Sequence, residues 1–405
     1  MFIFSIVFLI LVSIIIAFTA FGALYQMFFA IIYLFLCKKR QFSQTPKCHF
    51  TILIPAHNES ECLHSVITRC LQLDYLPELF TVAVIADNCT DNTAQIARDC
   101  GVQCLERFDD QKRGKGEALE WAIPQILAQK TDAVMILDAD CNIAHKTLLA
   151  CDYEIARGSQ VIQVSNIVSN PDDSFRSYAM ALARYIENFL YYLPKTQVGL
   201  SCFMIGPGGV FTRDVLEKYS WHSGGLAEDF EYGFRLLKNG VKAVFVGDVV
   251  LDSPFPVEAK QLAVQRARWI FGGLDLLRRS VMGLLARGIL KRDFVAFDAG
   301  ISMFFISRPV IFGQIFLSGI LGFLSFFLIP SVWSRVLLAI FGGTVGVYFL
   351  YVGIGIFAMG LNQRRLKYLC LMPIFVLKYL EIAVQSFCLL RPKKWERTPR
   401  NSEKN

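Results

Sequence analysis

Hydrophobic positions fall along this chain in three regimes. Residues 1–37 form one uncharged run, longer than the roughly 20 residues a bilayer-spanning helix needs. Lys38-Lys39-Arg40 follows directly, and with no basic stretch ahead of the run and no small-residue cleavage site it reads as a span rather than a removed leader. From Phe50 the pattern changes to short apolar, β-branched runs at 50–55, 80–86, 102–105 and 133–137, separated by helical patterns of about 10–15 residues. Beyond about residue 295 long apolar runs return, and 309–329 and 336–360 are each long enough to cross a bilayer. Residues 369–390 are apolar too, but they hold Pro373, Lys378 and Glu381 and run into Arg391-Pro392-Lys393-Lys394. Crossing would bury two charges and place a basic tail outside, against the positive-inside tendency, so this stretch reads as an interfacial helix. The expected topology is one crossing before the polar middle and two after it, with the middle and the tail inside.

Strands alternating with helices predict βαβ units and a mostly parallel α/β sheet, which binds ligands at the carboxyl ends of its strands. Three strand ends carry polar clusters: Pro55-Ala56-His57-Asn58-Glu59, Asp87-Asn88-Cys89-Thr90-Asp91 and Asp138-Ala139-Asp140. Alternating side-chain direction puts Asp138 and Asp140 on the same side of the extended backbone. Two such carboxylates repel each other unless a cation lies near them, and a hard divalent ion takes oxygen ligands of this kind. Arg113-Gly114-Lys115-Gly116 lacks the spacing and the Ser or Thr of a nucleotide triphosphatase loop, yet Lys115 at a helix start could reach a phosphate. Pro124 is expected to kink or interrupt the helix over 116–129. Gly206-Pro207-Gly208-Gly209 would let backbone approach a ligand, or would simply turn. Glu228-Asp229 opens a helical pattern that continues to about Lys238; acids there serve as ordinary first-turn residues or as site residues. Gln265-Arg266-Ala267-Arg268-Trp269 sets an amide, two guanidinium groups and an indole on one helix.

Composition supports a membrane protein, since 54% of residues are hydrophobic and 35 are Phe, well above a soluble average. The net charge of +7 is concentrated at Arg266, Arg268, Arg278, Arg279, Arg287, Lys291 and Arg292 and in the tail from Arg391 to Arg400. Membrane lipid head groups or a phosphate-bearing substrate account for these clusters; no alternation of aromatic and basic residues points to nucleic acid. None of the 12 cysteines lies in a C-x-x-C pair, which argues against zinc, and a disulfide framework does not suit a chain facing the cytoplasm.

Taken together, Pro55-Ala56-His57-Asn58-Glu59, Asp87-Asn88, Lys115-Gly116, Asp138-Ala139-Asp140, Glu228-Asp229 and Gln265-Arg266-Ala267-Arg268-Trp269 resemble, in order, the motifs of the membrane-integrated family 2 glycosyltransferases, the group of cellulose, chitin and hyaluronan synthases. The resemblance implies a GT-A domain over 46–260, interfacial helices over 261–297, membrane and interfacial helices over 298–390 and a basic tail over 391–405. It further implies inverting transfer of a sugar from a nucleotide diphosphate donor, usually a UDP-sugar, with Mg²⁺ or Mn²⁺. By that likeness Asp87 and the Pro55, Ala56, His57 and Glu59 turn hold the nucleotide, and Lys115 touches the diphosphate. Asp138 and Asp140 bind donor and metal, Asp140 more directly. Asp229, beside Glu228, is the general base, and Gln265, Arg266, Arg268 and Trp269 line the acceptor and diphosphate region. The acceptor is a growing polysaccharide or, as the alternative, a membrane lipid. Few crossings follow the transfer domain, so polymer export would call for an oligomer or a secretion partner.

Overall fold

The computed structural model describes residues 2–37, 40, 42, 45–222, 228–255, 259–306 and 308–374. Its centre is a sheet of eight strands: β1 (Phe50–Ala56), β2 (Phe80–Asp87), β3 (Gln103–Arg107), β4 (Ala133–Ile136), β5 (Asn142–Ile143), β6 (Val161–Val168), β7 (Gly209–Thr212) and β8 (Ala243–Ser253). Their order is β3-β2-β1-β4-β7-β6-β8-β5. β1 lies parallel to both β2 and β4, β2 to β3 and β6 to β8. β7 is antiparallel to β4 and β6, and β5 to β8. The sheet is therefore mixed and mostly parallel, with the carboxyl ends of β1, β2 and β4 along one edge.

Side-chain alternation divides the apolar residues between two faces. Ile52, Ile54 and Met135 pack with Val66 and Ile67 of the helix Leu63–Leu71 and Leu148 of the helix Thr147–Ala156. Leu53, Ile85 and Ile136 pack with Leu119 and Ile123 of the helix Lys115–Leu127 and Phe234 and Leu237 of the helix Glu228–Lys238. Both faces are covered, which is why the central strands read as continuous apolar runs. The helix Lys115–Leu127 runs through Pro124 without a break, correcting the expected interruption. Only one backbone hydrogen bond is forfeited there, and buried Ala118, Leu119, Ala122, Ile123 and Ile126 hold the helix to the sheet on both sides of the proline.

Among the described residues, three helices are long and apolar enough to cross a membrane: Ile3–Leu36, Val310–Leu328 and Val332–Met359. The helix Gln363–Cys370 follows the last of them. Beyond residue 374, the expected interfacial helix and the basic tail lie outside the described residues. The first long helix, Phe2–Leu36, is more than an anchor. Its Phe29 and Ile32 belong to the same apolar cluster as Leu53 and Ile136 of the sheet. Next to them a buried ion pair joins Lys195 to Asp298 of the helix Phe294–Ile306 at 2.6 Å, with Ser302 Oγ 2.6 Å and Tyr25 OH 3.3 Å from the ammonium.

Gly208 stitches the sheet together beside the site. Its N–H donates to Ile136 O at 2.8 Å, and its carbonyl accepts from Val164 N–H at 2.9 Å. Its φ is +86°, and a Cβ there would come within 2.6 Å of Leu251. Gly208→Val is expected to cost about 2 kcal/mol or more, from the left-handed backbone and the overlap together, read as a lower thermal midpoint of the detergent-solubilised chain.

Candidate active site

The carboxyl ends of β1 and β2 form one wall. Pro55 and Ala56 close β1 in register with Ile85 and Ala86 of β2. Asn58 and Asn88 then turn the chain with φ of +56° and +52°, a region asparagine tolerates better than most residues. Asn58 Oδ1 accepts from Thr90 N–H at 2.8 Å, and Asn88 Oδ1 from Asp109 N–H at 2.8 Å. His57 Nδ1 lies 2.7 Å from the carbonyl of Asp87. Glu59 is buried, its N–H bonded to Thr93 Oγ1 at 2.9 Å. These bonds tie the Pro55-to-Glu59 turn to the Asp87-to-Asp91 loop.

Asp87 is buried, and its partner is a residue the sequence reading missed. Arg107 Nη1 donates to Asp87 Oδ1 at 2.6 Å, while Nη2 reaches Lys112 O at 2.7 Å and Asp109 Oδ2 at 3.1 Å. One guanidinium thus fixes the Asp87 carboxylate and the loop that leads into Lys115. The available signal was charge at matched strand ends, because Asp87 and Arg107 are register partners in the β2–β3 ladder. Arg107→Ala is expected to destabilise the fold by about 3–5 kcal/mol by leaving a buried carboxylate unpaired. Arg107→Lys should lose less, keeping the charge without the fork; urea unfolding of both variants checks the order.

The second wall holds the acids and the lysine. Gly114, with φ of +127°, precedes the helix that Lys115 opens. Lys115 Nζ lies 2.8 Å from Asp138 Oδ1 and 3.2 Å from Asp229 Oδ2. Burial on its own would lower the pKa of this ammonium, but Asp138, Asp229 and Glu228 outweigh it and hold the value well above that of an ordinary lysine. Glu228 and Asp229 open the helix Glu228–Lys238, whose Gly233 lets it close on Met204; a Cβ there would lie 2.7 Å from that side chain.

Asp138 and Asp140 converge by a different route from the one expected. β4 stops at Ile136, and Cys141 N–H donates back to Asp138 O at 3.1 Å, closing a tight turn over Ala139 and Asp140. The buried Ala139 and Cys141 side chains pull the turn into the apolar core, so bending, not extended alternation, brings the acids together. Ligand atoms of Asp138, Asp140 and Cys141 all lie within 4.8 Å of one another. Burial, then Asp138 and Asp140, push the Cys141 thiol well above its usual pKa. Asp138 and Asp140 are two hard oxygen ligands of the kind that suits Mg²⁺ or Mn²⁺.

The structure brings together Lys115, Asp138, Asp140 and Asp229, with Asp87 and the Pro55-to-Glu59 turn at the neighbouring strand ends. Gln265, Arg266, Arg268 and Trp269 lie on the helix Ala259–Leu290, but their side chains fall outside the described residues.

A family profile described as "Glycosyltransferase like family 2" matches residues 46–272, more than half of the chain. Among curated proteins the chain is 25% identical to a poly-beta-1,6-N-acetyl-D-glucosamine synthase of Staphylococcus aureus over 264 residues, 63% of this chain and 62% of that protein. It is 24% identical to glucomannan 4-beta-mannosyltransferase 7 of Arabidopsis thaliana over 250 residues, 56% of this chain and 43% of that one. The matches span less than two thirds of either relative's length. Among solved structures the mannosyltransferase PcManGT from Pyrobaculum calidifontis, in complex with GDP-Man and Mn²⁺, superposes with a TM-score of 0.57 at 18% identity, covering 94% of this chain and 99% of that one. That likeness shows a shared GT-A fold.

Proposed function

This chain belongs to the family 2 glycosyltransferases, and from that premise we propose that it transfers a sugar, with inversion, from a nucleotide diphosphate donor to a growing polysaccharide at the cytoplasmic face of a membrane. The observation that carries the reading is Lys115, whose ammonium bridges Asp138 and Asp229. Three motifs far apart in the chain thereby share one centre, with a metal-type carboxylate on one side and a base-type carboxylate on the other.

In this reading the Pro55-to-Glu59 turn and Asp87 hold the nucleotide, and Asp138 and Asp140 would hold a divalent ion. That ion, when bound, offsets the charge growing on the departing nucleotide diphosphate. Lys115 adds a fixed cation beside the same charge. Asp229 takes the proton from the attacking acceptor hydroxyl, its carboxylate kept oriented by Lys115. Direct displacement inverts the sugar carbon and needs no covalent nucleophile. Gln265, Arg266, Arg268 and Trp269 serve the acceptor and the diphosphate, an indole suiting a sugar's apolar face and a guanidinium suiting phosphate.

Polymer synthesis is supported by the two relatives, a polysaccharide synthase and a glucomannan mannosyltransferase. UDP is the expected nucleotide; the GDP-Man in the structural neighbour makes GDP the competing one. A second reading, single transfer to a lipid acceptor, is favoured by the small number of candidate spans, three among the described residues. A polymer channel would then require several copies or a secretion partner. Purified full chain in lipid, given labelled UDP- and GDP-sugars with Mg²⁺ or Mn²⁺, tests both. A ladder of oligomers supports synthesis, and one lipid-soluble product supports single transfer. Absence of sugar transfer with every donor and both metals would refute both.

A further inference from the structure

The turn that gathers Asp138 and Asp140 is held at both ends. Before it, Leu137 N–H donates to Leu53 O at the β1 side at 3.0 Å. After it, Asn142 and Ile143 form β5, paired antiparallel to β8 with Asn142 opposite Asp252 and Ile143 opposite Leu251. So short a ladder holds little by itself, but side chains reinforce it. Ile143 and Leu251 are buried in the same apolar cluster as Ala139 and Cys141 of the turn. Asn142 Nδ2 donates to Asp252 Oδ1 at 2.7 Å, and the Ser253 side chain hydrogen-bonds the Cys141 thiol.

The β8 end is itself fixed. Asp252 and Ser253 close that strand in register with Ile167 and Val168 of β6, and Ser253 O accepts from Ser169 N–H at 3.0 Å. Just beyond, Asn170 grips Phe255 twice: its Oδ1 accepts from Phe255 N–H at 2.7 Å, and its Nδ2 donates to Phe255 O at 3.1 Å. Neither Asn nor Asp favours a strand for its own sake. Set directly opposite each other, they make a hydrogen-bonded cross-strand pair, and Asn142 is only two positions past Asp140.

We propose that Asp252 and Asn142 are positioning residues for the divalent ion: their hydrogen bond fixes the far end of the Asp138–Cys141 turn and so sets the spacing of the two carboxylates. The inference rests on the reading that Asp138 and Asp140 take Mg²⁺ or Mn²⁺. Two carboxylates held close together repel each other before a cation arrives. A turn fastened at one end only would let them spread, and the ion would have to gather them at a cost in affinity. Fastened at both ends, the turn meets the ion already shaped. Among the described residues the clustered ligand atoms come from Asp138, Asp140 and Cys141; Asp252 stands outside that group and acts through Asn142.

The test uses the full chain in nanodiscs, with Mn²⁺ titrated in the presence of UDP and, separately, GDP, and free Mn²⁺ read by electron paramagnetic resonance. Hydrogen exchange of the metal-free chain follows the turn itself. Asp252→Ala should weaken Mn²⁺ binding by about 10–100-fold, as loss of a partner behind a metal ligand does. Exchange over 138–142 should quicken, while exchange in β1 and β2 and nucleotide binding in a chelator stay as they were. The reciprocal variant, Asp252→Asn with Asn142→Asp, keeps an amide facing a carboxylate and should restore both readouts. Unchanged exchange over 138–142 in Asp252→Ala would show that the pair does not hold the turn and would overturn the proposal. Mn²⁺ affinity that the reciprocal variant fails to restore, with exchange restored, would make Asp252 a ligand and overturn it too. Faster exchange through β1 and β2 as well would reduce the pair to a general support of the fold. An unaltered chain that binds no Mn²⁺ with either nucleotide would refute the metal reading, and this role with it, whereas the exchange data would still report whether the pair holds the turn.

Discussion

Asp229→Asn is expected to lower sugar transfer by about 10²–10⁴-fold, the range a positioned general base contributes, with nucleotide binding nearly unchanged. Asparagine preserves the volume and one oxygen for Lys115 Nζ, which lies 3.2 Å from Asp229 Oδ2. It removes the capacity to accept a proton from the acceptor hydroxyl. Asp138 stays 2.8 Å from the same ammonium, so the donor side keeps its counter-ion. Calorimetric titration of the nucleotide and a transfer assay on the same preparation separate the two effects. Turnover at the unaltered rate would remove Asp229 from the chemistry, and a matched loss of binding and transfer would reassign it to holding the donor.

Asp140→Ala is expected to abolish the metal-dependent part of nucleotide binding. The loss should exceed the roughly 10–100-fold seen when only a supporting partner of a metal ligand is removed. Asp138 and Asp140 are the only carboxylates in the cluster of possible ligands among the described residues. Affinity measured with Mn²⁺ should fall to the value the unaltered protein shows in a chelator, and transfer should fall with it. Binding that still responds to Mn²⁺ would move the metal away from the Asp138–Asp140 turn. Asp138→Ala should behave differently, because it also takes from Lys115 its nearer partner.

The continuous apolar runs at 50–55, 80–86 and 133–137 were enough to place three central strands, because both faces of the sheet are covered and strands of that kind are apolar throughout. The polar clusters after them lie at the shared edge for the same reason. Less was visible where local and tertiary forces compete. Pro124 signals a break in isolation, but the helix it sits in is fastened to the sheet at residues before and after it. Asp138 and Asp140 were grouped by an argument about extended backbone that fails here, since the strand ends at Ile136 and a turn brings the two acids near each other. Arg107 escaped notice because its importance comes from β3 lying beside β2, a pairing that no local pattern reveals. The long first helix read as a simple span, because an apolar run is the same string of letters whether lipid or protein lies against it.

That helix has a consequence for anyone preparing the enzyme. Phe29 and Ile32 share an apolar body with Leu53 and Ile136, and Tyr25 contacts Phe29, Tyr191 and Phe305 edge-on or tilted. Cutting the chain before residue 46 to obtain a soluble fragment would not free a head from its leash. It would strip one wall from the hydrophobic interior and leave Tyr191 and Phe305 without the rings they pack on, together with Lys195 and Asp298 deprived of the tyrosine beside them. Such a fragment is headed for aggregation however well it is expressed. For the intact enzyme, the same packing makes the first long helix part of the body that carries the candidate site, so a substitution at Phe29 or Ile32 reaches the sheet as directly as one in its own core.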